Sequence, residues 1–261
     1  MRRPPIVGML QLPPLPGSAR YRGEALGRIF DAALTEAHLL AECGFDGVQV
    51  QNMGDNPSTR RVNFETVAYM TGICREIRRT LPEVGLSVLV NWDAEASLAV
   101  GHATGADYIR VEHTYVGASV TSWGLSQACC HEATRFRSRI GAELPIYADL
   151  FEPHAIPLVQ RPIEAWAMAA VFEGAADGLF VTGVSAEESL DLISRVRTAT
   201  KVPIWLGGGV TAENVGRFLP YVDGLTVATS IKLNHDMANQ VDRNLAEAFV
   251  KSADISWVGG E

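Results

Sequence analysis

Long apolar runs are missing from this 261-residue chain. None approaches the roughly eighteen residues of a membrane-spanning helix, so no transmembrane segment is expected. A basic excess is missing too. Lys and Arg total 22 against 30 Asp and Glu, a formal net charge of −8, and without a domain-wide positive field nucleic acid is not an expected partner. A bound anion must then find its compensation locally. The opening Met1-Arg2-Arg3-Pro4-Pro5 runs directly into an apolar strand and lacks the hydrophobic region and cleavage site of a secretory signal, so a cytoplasmic protein is expected. Cysteine is sparse. Cys43, Cys74, Cys129 and Cys130 show neither CxxC spacing nor a metal-ligand pattern, and read as buried, reduced thiols.

What is present is an alternation of short apolar runs with longer amphipathic stretches. Hydrophobic residues make up 47% and charged residues 20%, ordinary globular values. Eight strands are predicted, at Ile6–Leu12, Gly47–Gln51, Leu86–Asn91, Tyr108–Glu112, Ile146–Phe151, Gly178–Thr182, Ile204–Gly207 and Leu225–Thr229. They are short, rich in β-branched residues and mostly unalternated, as strands buried on both faces should be. Helical patterns lie between them. Leu26, Ile29, Phe30, Ala33, Leu34, Ala37, Leu40 and Ala41 fall on one helical face. Ser185-Ala186-Glu187-Glu188 reads as a capping box, and Gly44, Gly105, Gly141 and Gly174 stand where helices should stop.

A phrase recurs at alternate strands. Asp46, Asp107, Asp177 and Asp223 each sit just before a strand, in Gly44-Phe-Asp-Gly-Val, Gly105-Ala-Asp-Tyr-Ile, Ala175-Ala-Asp-Gly-Leu and Val222-Asp-Gly-Leu. The repeat implies two-strand units around a closed ring, with the four aspartates in a structural role. No linker, low-complexity tract or charge block divides the chain. A single (β/α)₈ TIM barrel of α/β class over residues 1–261 is therefore expected, close to the roughly 250 residues typical of that fold. A doubly wound open sheet would want a Gly-rich turn after its first strand, and Leu12-Pro13-Pro14-Leu15-Pro16-Gly17 is not one.

Two strand ends near the C-terminus carry the strongest chemical signal. Gly207, Gly208 and Gly209 follow the seventh strand, and Thr229 and Ser230 follow the eighth, with Lys232 just beyond. Glycines let the backbone approach a ligand, and N–H groups at a following helix attract an anion. In a barrel this is where a phosphate sits. Lys232 reads either as a partner for that phosphate or as a solvated charge.

The other strand ends form a polar ring of Gln11, Gln51, Asn91, Trp92, Asp93, Glu112, His113, Asp149, His154 and Thr182. Asp149 and Glu112 lie on adjacent strands, where a carboxylate pair can move protons or flank a glycosidic bond. The alternative for each is a carboxylate tied to a neighbouring strand's polar groups. Asp93 reads as a third acid/base candidate or as the cap of the next helix. His154 is a proton shuttle or orienting group in the loop after Asp149, while His113 reads more simply as a loop polar residue. Gln11, Gln51, Asn91, Trp92 and Thr182 are substrate-binding candidates. Trp92, Trp123, Tyr115 and Phe151 either stack on a ligand ring or plug the barrel top. No cofactor is expected. A divalent ion is compatible with Asp149, Glu112 and His154, though no ligand spacing recommends one. Schiff-base chemistry is disfavoured, since no strand-end lysine other than Lys232 is available.

These residues carry a family resemblance. Val7-Gly-Met-Leu-Gln-Leu-Pro-Pro-Leu-Pro-Gly-Ser18, Asp46-Gly-Val-Gln-Val-Gln-Asn-Met-Gly-Asp55, Ala148-Asp-Leu-Phe-Glu-Pro-His-Ala-Ile-Pro-Leu158 and Asp223-Gly-Leu-Thr-Val-Ala-Thr-Ser-Ile-Lys232 resemble segments of the BtpA/SgcQ family in order. The resemblance implies a ribulose-phosphate-binding type of barrel. Asp149 and His154 match the family's pattern. Gln11 stands where the family commonly has His, Gln51 where it has Glu, Glu112 where it has Asn, and Glu152 where Lys is frequent. Charge has moved from strands one and two to strands four and five, which implies a different substrate or a different acid/base.

The function expected is that of an enzyme on a phosphorylated sugar or nucleotide-like molecule, by isomerase, lyase or ribosyl glycosidic-bond chemistry. The alternative, implied by the family's name, is a non-catalytic assembly or stability factor for a membrane complex such as photosystem I. The partners expected are a phosphorylated small molecule and, compatible with the sequence, further copies of the chain in a homo-oligomer.

Overall fold

Buried, unalternated strands close into a ring. The computed structural model describes residues 2–112, 114–151 and 155–258. In chain order the strands are β1 (Ile6–Gln11), β2 (Gly47–Gln51), β3 (Gly85–Leu89), β4 (Tyr108–Val111), β5 (Ala118–Thr121), β6 (Gly124–Gln127), β7 (Ile146–Phe151), β8 (Ile156–Pro157), β9 (Gly178–Val181), β10 (Ile204–Leu206) and β11 (Gly224–Val227). Helices α1 (Leu26–Glu42), α2 (Phe64–Thr80), α3 (Ala94–Thr104), α4 (Cys130–Arg139), α5 (Ile163–Met168), α6 (Ala186–Ala199), α7 (Val215–Phe218) and α8 (Arg243–Val258) alternate with them. The strands β1-β2-β3-β4-β7-β9-β10-β11 form a closed barrel, parallel throughout. The chain is a (β/α)₈ barrel, and the eight predicted strands are its eight staves.

The barrel is closed at its N-terminal end by the four repeated aspartates. Each accepts a hydrogen bond from the first turn of the preceding barrel strand: Asp46 from Ile6 N at 2.9 Å, Asp107 from Leu86 N at 2.7 Å, Asp177 from Ile146 N at 2.9 Å and Asp223 from Ile204 N at 2.7 Å. Each also meets an arginine: Arg3, Arg78, Arg137 and Arg197 respectively. Strands are thereby clasped in pairs, which is why the phrase recurs at every second strand.

The helices pack as their apolar spacing dictates. In α1 the residues Ile29, Ala33, Ala37 and Leu40 are buried. Ser185 caps α6 by accepting from Glu188 N at 3.1 Å, and Glu188 reaches back to Val184 N. The stop at Gly174 differs from expectation: its φ is −88°, and the left-handed residue is Ala175 at φ 53°. Gly174 is small for another reason, because a Cβ there would lie 2.7 Å from Ala170 O and 2.8 Å from the Tyr115 ring.

Two features lie outside the periodicity. The barrel interior holds an aromatic cluster of Tyr108, Tyr147, Phe180 and Trp205 packed with Val7. A second, three-stranded antiparallel sheet, β6-β5-β8, stands beside the barrel at its C-terminal end. Its β5–β6 hairpin turns at Ser122-Trp123, with Thr121 opposite Gly124. These strands are half-exposed and lie in a segment that carried no strand expectation, because an edge hairpin needs no continuous apolar run.

All four cysteines are free; Cys43 and Cys74 are buried as expected, whereas Cys129 and Cys130, at the start of α4, are half-buried. Burial pushes the thiols of Cys74 and Cys129 up to about 12 and raises those of Cys43 and Cys130 as well. Since the thiolate is the reactive form, a disulfide-exchange reagent at pH 8 is expected to label the native protein slowly and to find all four thiols only in denaturant. Prompt stoichiometric labelling of the native chain would contradict this burial.

Candidate active site at the C-terminal mouth of the barrel

Side chains alternate along a strand, so residues two apart share a face. On β4 this sets Tyr108, Arg110 and Glu112 in one inward row, and on β7 it sets Tyr147 and Asp149. Arg110 is the residue that sequence reasoning missed. In the sequence it is one letter of a buried strand, although an arginine between two apolar neighbours, in phase with Glu112, is itself a signal that the interior is polar. Its guanidinium donates to both oxygens of Asp149, Nε to Oδ1 and Nη2 to Oδ2, each at 2.7 Å. It also lies over the Phe180 ring, 4.3 Å from the centroid. Both partners are buried, at 6% and 8% exposure. Burial opposes the charge on Arg110, but Asp149 and the nearby Glu112 hold the guanidinium above its ordinary range.

This changes the reading of Asp149. Each of its oxygens accepts one hydrogen bond from Arg110, so Asp149 holds the guanidinium in place within the barrel. Glu112 lies one layer higher, half-buried, with Gln51 Nε2 at 3.5 Å from Oε2. Gln51 Nε2 also donates to Asn91 Oδ1 at 3.0 Å, and Gln11 Nε2 approaches Gln51 Oε1 at 3.5 Å. The pairing Gln11↔Gln51 across β1 and β2 keeps these amides level. Gln11 Oε1 is buried without a hydrogen-bond partner among the described residues. The structure thus brings Gln11, Gln51, Asn91, Glu112 and Asp149 to one end of the barrel.

Behind them, Asn52 and Asp55 hold the loops. Asn52 Oδ1 accepts from Asn91 N at 2.7 Å and its amide donates to Asp55 at 3.0 Å. Asp55 in turn accepts from Leu15 N at 2.7 Å. The proline-rich opening is therefore strapped to the loop after β2. Burial raises the Asp55 carboxyl above the usual carboxylate range despite these bonds.

On the opposite side, Gly207 N donates to Thr182 Oγ1 at 3.2 Å. A Cβ on Gly207 would lie 2.9 Å from both Arg110 Nη2 and Thr182 Oγ1, so the absent side chain is what lets Arg110 reach across the interior. Gly208 is less confined: a Cβ there would meet only Thr182 Cγ2, at 3.7 Å. Gly209 has φ +72° and open space around it. Asn214 closes this turn, accepting from Thr211 N at 2.8 Å and donating to Gly209 O at 2.9 Å. Beyond β11, Thr229 and Ser230 open a short 3₁₀ turn, and Ser230 Oγ is buried with no partner among the described residues.

Two expected site residues belong elsewhere. Asp93 caps α3, accepting from Ala96 N at 3.0 Å, and also takes Val62 N at 3.1 Å and Arg61 at 3.4 Å. Of the two readings the sequence allowed, the cap of α3 is the one these contacts form. Lys232 is not a solvated charge. It is 1% exposed and its Nζ lies 2.5 Å from Glu36 Oε1 on α1. His113, Glu152 and His154 lie outside the described residues. Trp92 meets Trp123 of the β5–β6 hairpin edge-on, with centroids 4.5 Å apart at 90°. Among the described residues no three His, Cys, Asp or Glu side chains converge as a metal site would require, and no helix is long and apolar enough to cross a membrane.

A closed parallel barrel with its polar residues gathered at the strands' C-terminal ends defines the (β/α)₈ class, whose active sites occupy that face. Comparison with known proteins narrows the class. Residues 2–255 match the BtpA family, and the chain belongs to it. It is 31% identical over 255 residues to the photosystem I biogenesis protein BtpA of Synechocystis sp., covering 95% of this chain and 87% of that protein. It is 30% identical over 251 residues to the putative sgc region protein SgcQ of Escherichia coli K12, covering 94% and 92%. Among solved structures it is similar to the thiamine phosphate pyrophosphorylase from Pyrococcus furiosus, at a TM-score of 0.58 and 15% identity over 97% of this chain and 96% of that one. At that identity the likeness is one of fold.

Proposed function

We propose that this chain is an enzyme acting on a phosphorylated sugar or nucleotide-like small molecule. The phosphate would rest on the backbone of Gly207, Gly208 and Gly209 and on Thr229 and Ser230, whose buried, unpartnered hydroxyl stands ready for an oxyanion. Gln11, Gln51, Asn91 and Thr182 would orient hydroxyl groups. Glu112 would move the proton. Arg110, held by Asp149, would stabilise negative charge as it develops. Such a set suits isomerase, lyase or ribosyl glycosidic-bond chemistry.

The observation that carries this reading is the Arg110–Asp149 pair. A buried ion pair is a poor device for stability: replacing one with well-packed apolar residues is often neutral or stabilising by about 1–4 kcal/mol. A pair kept in the barrel interior, beneath a ring of amides and against Gly207, is better explained by what it does to a ligand.

The test is a thermal-shift panel of inorganic phosphate, ribose 5-phosphate and adenosine 5′-monophosphate. A ligand at a hundred times its dissociation constant stabilises by about 2.7 kcal/mol, a shift of several degrees for a domain of this size. Stabilisation by a phosphate ester is the expected result, and indifference to all three would remove the proposal. Once a substrate is known, Glu112→Gln is expected to bind it with little change and to turn it over at least roughly a hundredfold more slowly.

A second reading is an assembly factor for a membrane complex. Val120, Leu125, Ile156, Leu158 and Val159 are all exposed on or beside the three-stranded sheet, and a cluster of that kind favours docking. Co-sedimentation with membranes, together with silence in the ligand panel, is the outcome it requires.

A further inference from the structure

A cavity of about 160 Å³ opens between the mouth of the barrel and the β5–β6 hairpin. Trp92 and Trp123 form aromatic walls, Glu112 stands at its barrel side, and Arg60, Thr114 and Gln127 are among its other polar lining residues. Thr114 is 8% exposed and its Oγ1 has no hydrogen-bond partner among the described residues. A buried hydroxyl without a partner is costly, so its place in the wall of a cavity points to a ligand that satisfies it. The T-shaped contact with Trp92 braces Trp123, the residue at the hairpin tip, and leaves it 49% exposed.

Position decides what this cavity can take. In the closed ring β1-β2-β3-β4-β7-β9-β10-β11, each of β3 and β4 stands four places from β10 and β11 respectively. Trp92 and Glu112 follow β3 and β4, whereas the Gly207–Gly209 turn and Ser230 follow β10 and β11. The two groups therefore face each other across the mouth. Eight strands about 4.8 Å apart and tilted by about 36° enclose a ring about 15 Å across. A bare sugar phosphate held at the glycines does not span that gap. A phosphate ester carrying a flat ring does, with its sugar over Arg110, Gln51 and Asn91.

We infer that the Trp92–Trp123 cavity is a binding site for a nucleobase, so that the ligand class is a nucleoside monophosphate rather than a simple sugar phosphate. The inference rests on the proposed phosphate-ester function and narrows it. Trp123 offers a π-face for stacking and the Thr114 hydroxyl completes the ring's edge, while Glu112 stays at the barrel side as the carboxylate that moves the proton.

The experiment titrates the full chain with adenosine 5′-monophosphate, cytidine 5′-monophosphate, adenosine and ribose 5-phosphate, following heat and tryptophan emission. Three proteins are compared: wild type, Trp123→Ala and Trp123→Phe. Since Trp123 sits at an exposed turn, both variants are expected to keep the wild-type circular dichroism. The expected result is that one of the nucleotides binds more tightly than ribose 5-phosphate and quenches the tryptophans. Trp123→Ala should weaken that nucleotide roughly ten- to hundredfold, the range of one base stack, while leaving ribose 5-phosphate unchanged. Trp123→Phe should recover most of the loss. If ribose 5-phosphate binds as tightly as either nucleotide, or if Trp123→Ala binds all ligands like wild type, the base site is overturned while the phosphate-ester function survives. If adenosine binds as well as its monophosphate and loses affinity in Trp123→Ala, the base site stands and the phosphate cradle falls. If none of the four binds, both are overturned.

Discussion

Asp149→Asn is expected to lower the stability of the fold by about 3–5 kcal/mol, because it leaves the Arg110 guanidinium charged, buried and without its counter-ion. For a domain of this size that is a fall in Tm of about 10 °C. Asparagine keeps the volume and one acceptor oxygen, so the loss measures charge rather than packing. Chemical denaturation at pH 7 checks it. The companion variant Arg110→Met/Asp149→Leu removes both charges together. It is expected to regain most or all of the wild-type stability and to lose ligand response entirely. An Asp149→Asn protein within 1 kcal/mol of wild type would show that the guanidinium is already satisfied elsewhere, and the pair would lose its place at the centre of the site.

The second large effect separates two neighbouring glycines. Gly208→Val is expected to leave the unliganded protein close to wild type in Tm, since the new Cβ meets only Thr182 Cγ2 at 3.7 Å. It is also expected to abolish the thermal response to phosphate esters, because the branched side chain fills the space an oxyanion must enter. Gly207→Val should behave differently. Its Cβ would fall 2.9 Å from Arg110 Nη2 and from Thr182 Oγ1, so it disturbs the buried pair and lowers stability by about 1–3 kcal/mol as overpacking typically does. Unchanged ligand affinity in Gly208→Val would remove the turn after β10 from the site. A Gly208→Val protein as unstable as Gly207→Val would make the comparison a matter of folding alone.

Much of the site's surroundings could be read from residues in order. The strand ends are legible because a strand buried on both faces is an unbroken apolar run, and its first polar residue marks where the barrel opens. Gln11, Gln51, Asn91 and Glu112 stand at those ends, although Gln49, Ser87 and Arg110 interrupt the same strands within the barrel. The aspartate phrase was legible as structural because it recurs at strand starts, away from the face where chemistry occurs. Asp93 shows where the rule weakens: a carboxylate after a strand is also a carboxylate before a helix, and only the distance to Ala96 N distinguishes the two. Lys232 shows the same for a cation, since Glu36 lies 196 positions away in the chain.

What the order of residues decides by itself is therefore whatever depends on near neighbours: the alternation of strand and helix, the caps, the position of an aspartate just before alternate strands, and the face to which polar groups are delivered. Partners across the barrel are a different matter. Gly207 acquires Arg110 only when the ring closes, while Arg110 acquires Asp149 only when the neighbouring strands β4 and β7 pair in register, and Trp92 acquires Trp123 only when the β5–β6 hairpin meets it. Local propensity acts over a turn or two of chain, whereas a charge or a ring is satisfied by whatever the closed barrel brings within a few ångströms.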